Sequence, residues 1–113
     1  MQANVIELDG EKFAVSPESV LRTAASELAP RKIRVNSVNP GPISTPIFSK
    51  LGMPAEEIND FAAAIQNRIP LKRFGEPQDV ANLVAFIASD SASFITGAEY
   101  NIDGGINVNP LLS

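Results

Sequence analysis

Ile33-Arg34-Val35-Asn36-Ser37-Val38-Asn39-Pro40-Gly41-Pro42-Ile43-Ser44-Thr45-Pro46 is the stretch that decides the fold of this chain. Residues 33–38 are rich in β-branched side chains, which pack well on a pleated surface, and they read as a strand. Pro40-Gly41 stops it. Prolines 40, 42 and 46 fix φ and lack the N–H that a ladder needs, so the following segment reads as a stiff loop that joins no sheet.

Upstream of the strand lies a well-marked helix. Ser16 is a good N-cap, Pro17 suits the first helical position, and Glu18 sets a negative charge near the positive end of the dipole. Val15 and Val20 stand where a hydrophobic staple places them, and Val20, Leu21, Ala24, Ala25 and Leu28 line one face at helical spacing. Pro30 ends the helix, and Arg31, Lys32 and Arg34 read as a solvated turn into the strand. Arg22 and Glu27 are likewise read as solvated charges. Before the helix, Val5-Ile6-Glu7-Leu8 and Lys12-Phe13-Ala14-Val15 flank Asp9-Gly10-Glu11, the pattern of a short hairpin within residues 1–15.

Downstream, a helix is expected from Pro54 to about Gln66, with Ile58, Phe61, Ala62 and Ile65 as its apolar stripe and Glu56 and Glu57 in its first turn. Another runs from Pro77 to about Ser89. Val80, Leu83, Val84 and Ile87 form its main stripe and Ala81, Ala85 and Ala88 a second, small-residue face, so it is expected to be buried on two sides. A last strand, about Glu99 to Ile102, is stopped by Asp103-Gly104-Gly105. Strand, helices, strand is a right-handed crossover between parallel neighbours, the unit of doubly wound α/β folds. Two parallel strands alone are marginal in water, so the pattern implies further covering neighbours.

Composition narrows the chemistry. The 113 residues suit one domain, and 44% hydrophobic with 19% charged residues is a globular balance. Without cysteine there is no disulfide, thiolate nucleophile or zinc–thiolate site; without histidine there is no Ser-His-Asp triad and no imidazole ligand. A net charge of −4 argues against nucleic-acid binding. The apolar run around residues 80–88 is too short to span a membrane, and no signal-peptide pattern is visible, so a cytoplasmic protein is expected.

The motifs, taken together, resemble a known family. Ala25-Ser26-Glu27-Leu28-Ala29-Pro30 followed by residues 33–46 resembles the helix, strand and Pro-Gly turn of short-chain dehydrogenases/reductases. Pro70-Leu71-Lys72-Arg73-Phe74-Gly75-Glu76-Pro77 is similar to that family's lead into its penultimate helix. Phe86-Ile87-Ala88-Ser89-Asp90, Ile95-Thr96-Gly97 and Asp103-Gly104-Gly105 are similar to its ending. The resemblance covers roughly residues 16–108, leaving residues 1–15 as a lead segment outside it.

The resemblance implies the C-terminal part of a Rossmann-like domain, with two of the family's strands and three helices, from an NAD(P)-dependent oxidoreductase that reduces carbonyls or oxidises alcohols. By it, Pro40 and Gly41 shape the turn beside the nicotinamide of NAD or NADP, the backbone at Ile43 contacts the carboxamide, and the Thr45 hydroxyl reaches the carboxamide or diphosphate. Residues 46–74 correspond to the substrate loop and lid, where Ile47, Phe48, Leu51 and Met53 present an apolar surface to a substrate of some hydrophobic bulk. It also implies a homo-oligomer, built through helix 77–89 and strand 99–102.

The family's proton-transfer motif, Tyr-x-x-x-Lys, has no counterpart here. Counted back from Ala29-Pro30, its two positions fall on Gly10 and Ala14; a shifted register gives Phe13 and Pro17, and Tyr100 lies in the last strand. The Gly-rich phosphate loop is absent too. No catalytic residue and no metal site is therefore expected, and neither turnover nor tight cofactor binding is expected of this chain alone. The competing expectation is a non-catalytic oligomerisation or interaction module of the same descent.

Overall fold

The computed structural model describes residues 4–8, 11–15 and 17–108. Strands β1 (Asn4–Leu8) and β2 (Glu11–Val15) pair antiparallel, with Leu8 facing Glu11 and Asn4 facing Val15. Asp9-Gly10, the Ser16 cap and the Val15 side chain of the staple lie outside the described residues. Then follow α1 (Pro17–Leu28), β3 (Ser37–Pro40), α2 (Ile47–Lys50), α3 (Ala55–Arg68), α4 (Pro77–Ala88) and β4 (Glu99–Ile102). Strands β3 and β4 form a second sheet of two strands. Ser37 N–H donates to Ala98 and Gly41 N–H to Ile102, the same offset at both ends, as parallel pairing requires. No described helix is long and apolar enough to cross a membrane.

The chain divides into two compact units, residues 1–37 with 87–100 and residues 38–86 with 101–113. In the first, α1 turns Leu21 and Ala25 inward, and Ile87 and Ala92 complete a small core; Val20, on the edge of the predicted stripe, is 53% exposed. The strand expected over residues 33–38 is displaced, since regular pairing begins only at Ser37. Side chains supply most of the bonds before that point, beside one main-chain bond. Val35 N–H donates to the Thr96 hydroxyl at 3.0 Å, and the Asn36 amide donates to Ile95 O at 3.1 Å while accepting from Ala98 N–H at 3.1 Å. Gly97 N–H donates to Val35 O at 2.7 Å.

Arg34 departs from the expected solvated turn. Its guanidinium donates to the carbonyls of Ile87 at 2.9 Å, Ile95 at 3.2 Å and Ser89 at 3.3 Å. The last carbonyls of a helix have no partner within it, and a cation beside them also suits the negative end of the dipole. Arg31 and Lys32 are exposed as expected.

In the second unit, α3 ends at Arg68, two residues beyond the expected Gln66, and Ile69 behind it is 1% exposed. Ile58, Ala62 and Ile65 are half-buried, while Phe61 is largely open. The expectation that residues 77–89 are buried on two sides is not met. Within α4 only Ile87 is buried; Ala81, Ala85 and Ala88 are exposed, as are Val84 and Phe86. An apolar helix stays open wherever its own chain brings no element against it.

Candidate nicotinamide-facing loop

The loop after β3 is held at both ends by main-chain bonds. Pro40, exposed, is the last residue of β3, where a missing N–H interrupts no ladder. Gly41 N–H donates to Ile102 O at 3.0 Å. A Cβ at Gly41 would lie 2.5 Å from Asp103 Cβ, so only glycine allows this approach.

The loop does join a strand-like pairing, contrary to the expectation drawn from its prolines. Ile43 and Gly75 form an isolated parallel bridge: Gly75 N–H donates to Pro42 O at 2.9 Å, and Ser44 N–H donates to Gly75 O at 2.8 Å. Proline lacks a donor but keeps its carbonyl, so Pro42 serves as the acceptor. A Cβ at Gly75 would stand 2.8 Å from Ile43 Cδ1, the mobile end of that side chain, so a larger residue here would have to turn the Ile43 side chain aside.

This pairing leaves one edge of the loop open. A parallel bridge uses the peptide groups flanking its central residue, here those of Pro42 and Ser44. The N–H and C=O of Ile43 face away from Gly75, and no hydrogen bond among the described residues occupies them. One donor beside one acceptor matches a primary carboxamide, which offers an oxygen and an NH2.

Behind Gly75 stands a charged pair. The Asp79 carboxylate accepts from Glu76 N–H at 2.8 Å and from the Arg73 guanidinium at 3.2 Å; Arg73 also donates to Phe74 O at 3.1 Å. The Glu76 N–H and then the Arg73 guanidinium hold the Asp79 carboxyl below its usual pKa, because both stabilise the ionised form. A cleft of about 290 Å³ opens between Pro42, Leu71, Arg73, Asp79, Ile102 and Asp103. Asp103 Oδ1 accepts from Gly105 N–H at 2.9 Å, while Oδ2 is enclosed without a partner among the described residues.

Of the residues singled out in the sequence, Pro40, Gly41, Ile43 and Thr45 lie together on this loop, with Thr45 exposed. Among the lid residues, Leu51 is 68% exposed and Met53 half-buried, and the side chains of Ile47 and Phe48 lie outside the described portion. Sequence reasoning missed Arg73, Gly75 and Asp79 as partners of the loop. Their local signal was a glycine before Pro77 and an acid in the first turn of α4, but nothing local pointed to Ile43. No group of three or more His, Cys, Asp or Glu able to hold a metal occurs among the described residues.

Known proteins are similar to this chain in sequence and in fold. A family model described as enoyl-(acyl carrier protein) reductase matches residues 11–107, starting a few residues before the motifs that carry the resemblance. The chain is 45% identical over 97 residues to 3-oxoacyl-[acyl-carrier-protein] reductase FabG of Thermotoga maritima, covering 83% of this chain and 37% of the relative. Among solved structures, a short-chain type dehydrogenase/reductase from Mycobacterium marinum is similar with a TM-score of 0.67 and 37% identity, over 81% of this chain and 34% of that one. 4-Hydroxyisoleucine dehydrogenase complexed with NADH is similar with a TM-score of 0.69 and 32% identity, over 81% and 36% of the two chains. The chain thus spans about a third of the length of the proteins it matches.

Proposed function

Since this chain belongs to the short-chain dehydrogenase/reductase family, we propose that it supplies the nicotinamide-facing wall of an NAD(P)-dependent oxidoreductase acting on carbonyls or alcohols. The observation that carries the proposal is the open peptide edge of Ile43, held outward by the bridge to Gly75. Its N–H and C=O bind the carboxamide and so orient the ring; Thr45, two residues on, offers a hydroxyl to the same group or to the diphosphate. When bound, the nicotinamide supplies or accepts the hydride. NADH in one similar structure agrees with this cofactor class.

Proton transfer at the substrate oxygen is a different matter. The family's Tyr-x-x-x-Lys positions hold Gly10 and Ala14, neither of which can donate a proton, so the 113 residues by themselves do not turn substrate over. On the substrate side, Leu51 and Met53 offer an apolar lid surface for a carbonyl carrying hydrophobic bulk. The 3-oxoacyl chain in the FabG relative's name is of that class.

The test uses the ¹⁵N-labelled chain and NADH or NADPH. Weak, saturable shifts at the Ile43 and Ser44 amides, with no carbonyl-dependent loss of absorbance at 340 nm, are expected. Turnover by the chain alone, or shifts confined to other segments, would count against the proposal.

The exposed face Ala81, Ala85 and Ala88, with Val84 beside it, favours a second reading as a homo-oligomerisation surface built with strand β4. A concentration-independent monomer mass in light scattering would exclude it.

A further inference from the structure

We propose that Arg73 and Asp79 are positioning residues for the loop at Ile43, acting through Gly75, a role that rests on the nicotinamide assignment only for its effect on cofactor. Gly75 touches the loop through both of its polar main-chain groups, since its N–H bonds Pro42 O and its C=O accepts from Ser44 N–H. The residues on either side of Gly75 are each held by one member of the charged pair. Arg73 donates to Phe74 O, and Asp79 accepts from Glu76 N–H. The 3.2 Å contact between guanidinium and carboxylate ties the two holds together.

One ion pair therefore fixes the peptide planes immediately before and after Gly75, and those planes set where its N–H and C=O point. The direction in which the Ile43 edge faces follows from that. Asp79 has a second hold on this geometry, because it reaches back from the first turn of α4 to the N–H of Glu76, the residue before the helix. That is one half of a capping box, in which glutamate serves as well as aspartate.

The pair is an exposed one, with side chains 59% and 38% open, so its Coulomb attraction contributes little by itself. Its value lies in direction. Four hydrogen bonds at 2.8 to 3.1 Å, two on Gly75 and two on its neighbours, converge on three consecutive residues.

Amide hydrogen exchange on the 113-residue chain tests this. Asp79→Ala is expected to speed exchange at Gly75 and Ser44 about fivefold, the effect of losing one cap, while α1 and β4 exchange as before. Asp79→Glu is expected to restore protection, a rescue that a purely packing role would not give. Arg73→Leu keeps the cap acceptor and removes the hold on Phe74 together with the ion pair to Asp79, so it guards against a misfolded Asp79→Ala protein, and it should loosen the same two amides. NADH titration of the Ile43 amide is expected to weaken about fivefold in both loosened variants. Unchanged exchange at Gly75 and Ser44 in Asp79→Ala and Arg73→Leu overturns the positioning role. Loosened exchange in variants of a chain whose Ile43 never responds to NADH upholds the positioning role and removes the cofactor assignment instead.

Discussion

Arg34 donates from Nη1 to the carbonyl oxygen of Ile87 at 2.9 Å, across 53 positions of sequence, and so closes the C-terminal turn of α4. The same guanidinium also reaches Ser89 and Ile95, which makes one side chain the common partner of three carbonyls. Replacement by leucine leaves those acceptors without their donor and is expected to cost about 2 kcal/mol. Lysine, with a point charge in place of a planar fork, should recover only part of it. Urea denaturation of the two variants measures both, and equal stability of wild type and Arg34→Leu would refute the assignment.

Gly41 meets Asp103 where a Cβ would stand 2.5 Å from the aspartate Cβ. Gly41→Ala must therefore separate the loop from the end of β4, at a cost of about 1–3 kcal/mol. The Gly41 N–H bond to Ile102 should weaken with it, seen as faster exchange of that amide. A variant with unchanged melting temperature and unchanged exchange would show that the loop yields freely.

Ile69, 1% exposed, is the largest fully buried side chain among the described residues. Ile69→Ala removes most of that side chain from a core with few other members and is expected to cost about 3 kcal/mol, read as a lower urea midpoint. Phe94, fully exposed, is the control, and Phe94→Ser should stay within about 0.5 kcal/mol of wild type.

Asp79 gives the chain an acid-side dependence. Its folded pKa lies below the usual value of 3.8, through the Glu76 N–H first and Arg73 second. A depressed carboxylate contributes stability that is present above 3.8 and is lost as pH falls through the lower folded value. Arg73 and Glu76 are the charged neighbours along the chain, and Asp103 shares the cleft. Asp79→Asn should flatten this part of the stability profile while leaving its neutral side almost level. An acid limb identical in wild type and variant would contradict it.

Ala85, exposed on α4, separates packing within the chain from packing between copies. Ala85→Arg is expected to leave the melt of the monomer within about 0.5 kcal/mol and to abolish self-association in light scattering. A large loss of stability without a change in mass would place that face inside the fold.

The elements whose ends carry local punctuation were legible in the sequence. Pro77 opens α4, and Glu99–Ile102 stops before Asp103-Gly104-Gly105, as read from the residues alone. The start of β3 was not, because residues 33–36 have β-branched composition but spend their polar groups on Thr96, Ile95 and Gly97. The Pro-Gly loop was recognised by its residues, yet its bridge to Gly75 was missed. Counting missing proline donors says nothing about a proline carbonyl that accepts.

Taken alone, the sequence determined the order of helices and strands, the family, the loop that carries Pro40, Gly41, Ile43 and Thr45, and the absence of a Tyr-x-x-x-Lys pair. The order of elements depends on residue type and spacing, which propensity and periodicity express directly, while the family, its loop and the missing pair rest on the resemblance of motifs in order along the chain. The tertiary structure decided the rest: that Arg34 serves the end of α4, that Gly75 pins the loop, that the Ile43 edge stays open, and that Ala81, Ala85 and Ala88 face outward. Hydrogen-bond partners and burial are properties of residues brought together from distant parts of the chain, and no local pattern encodes which peptide group will be left without a neighbour.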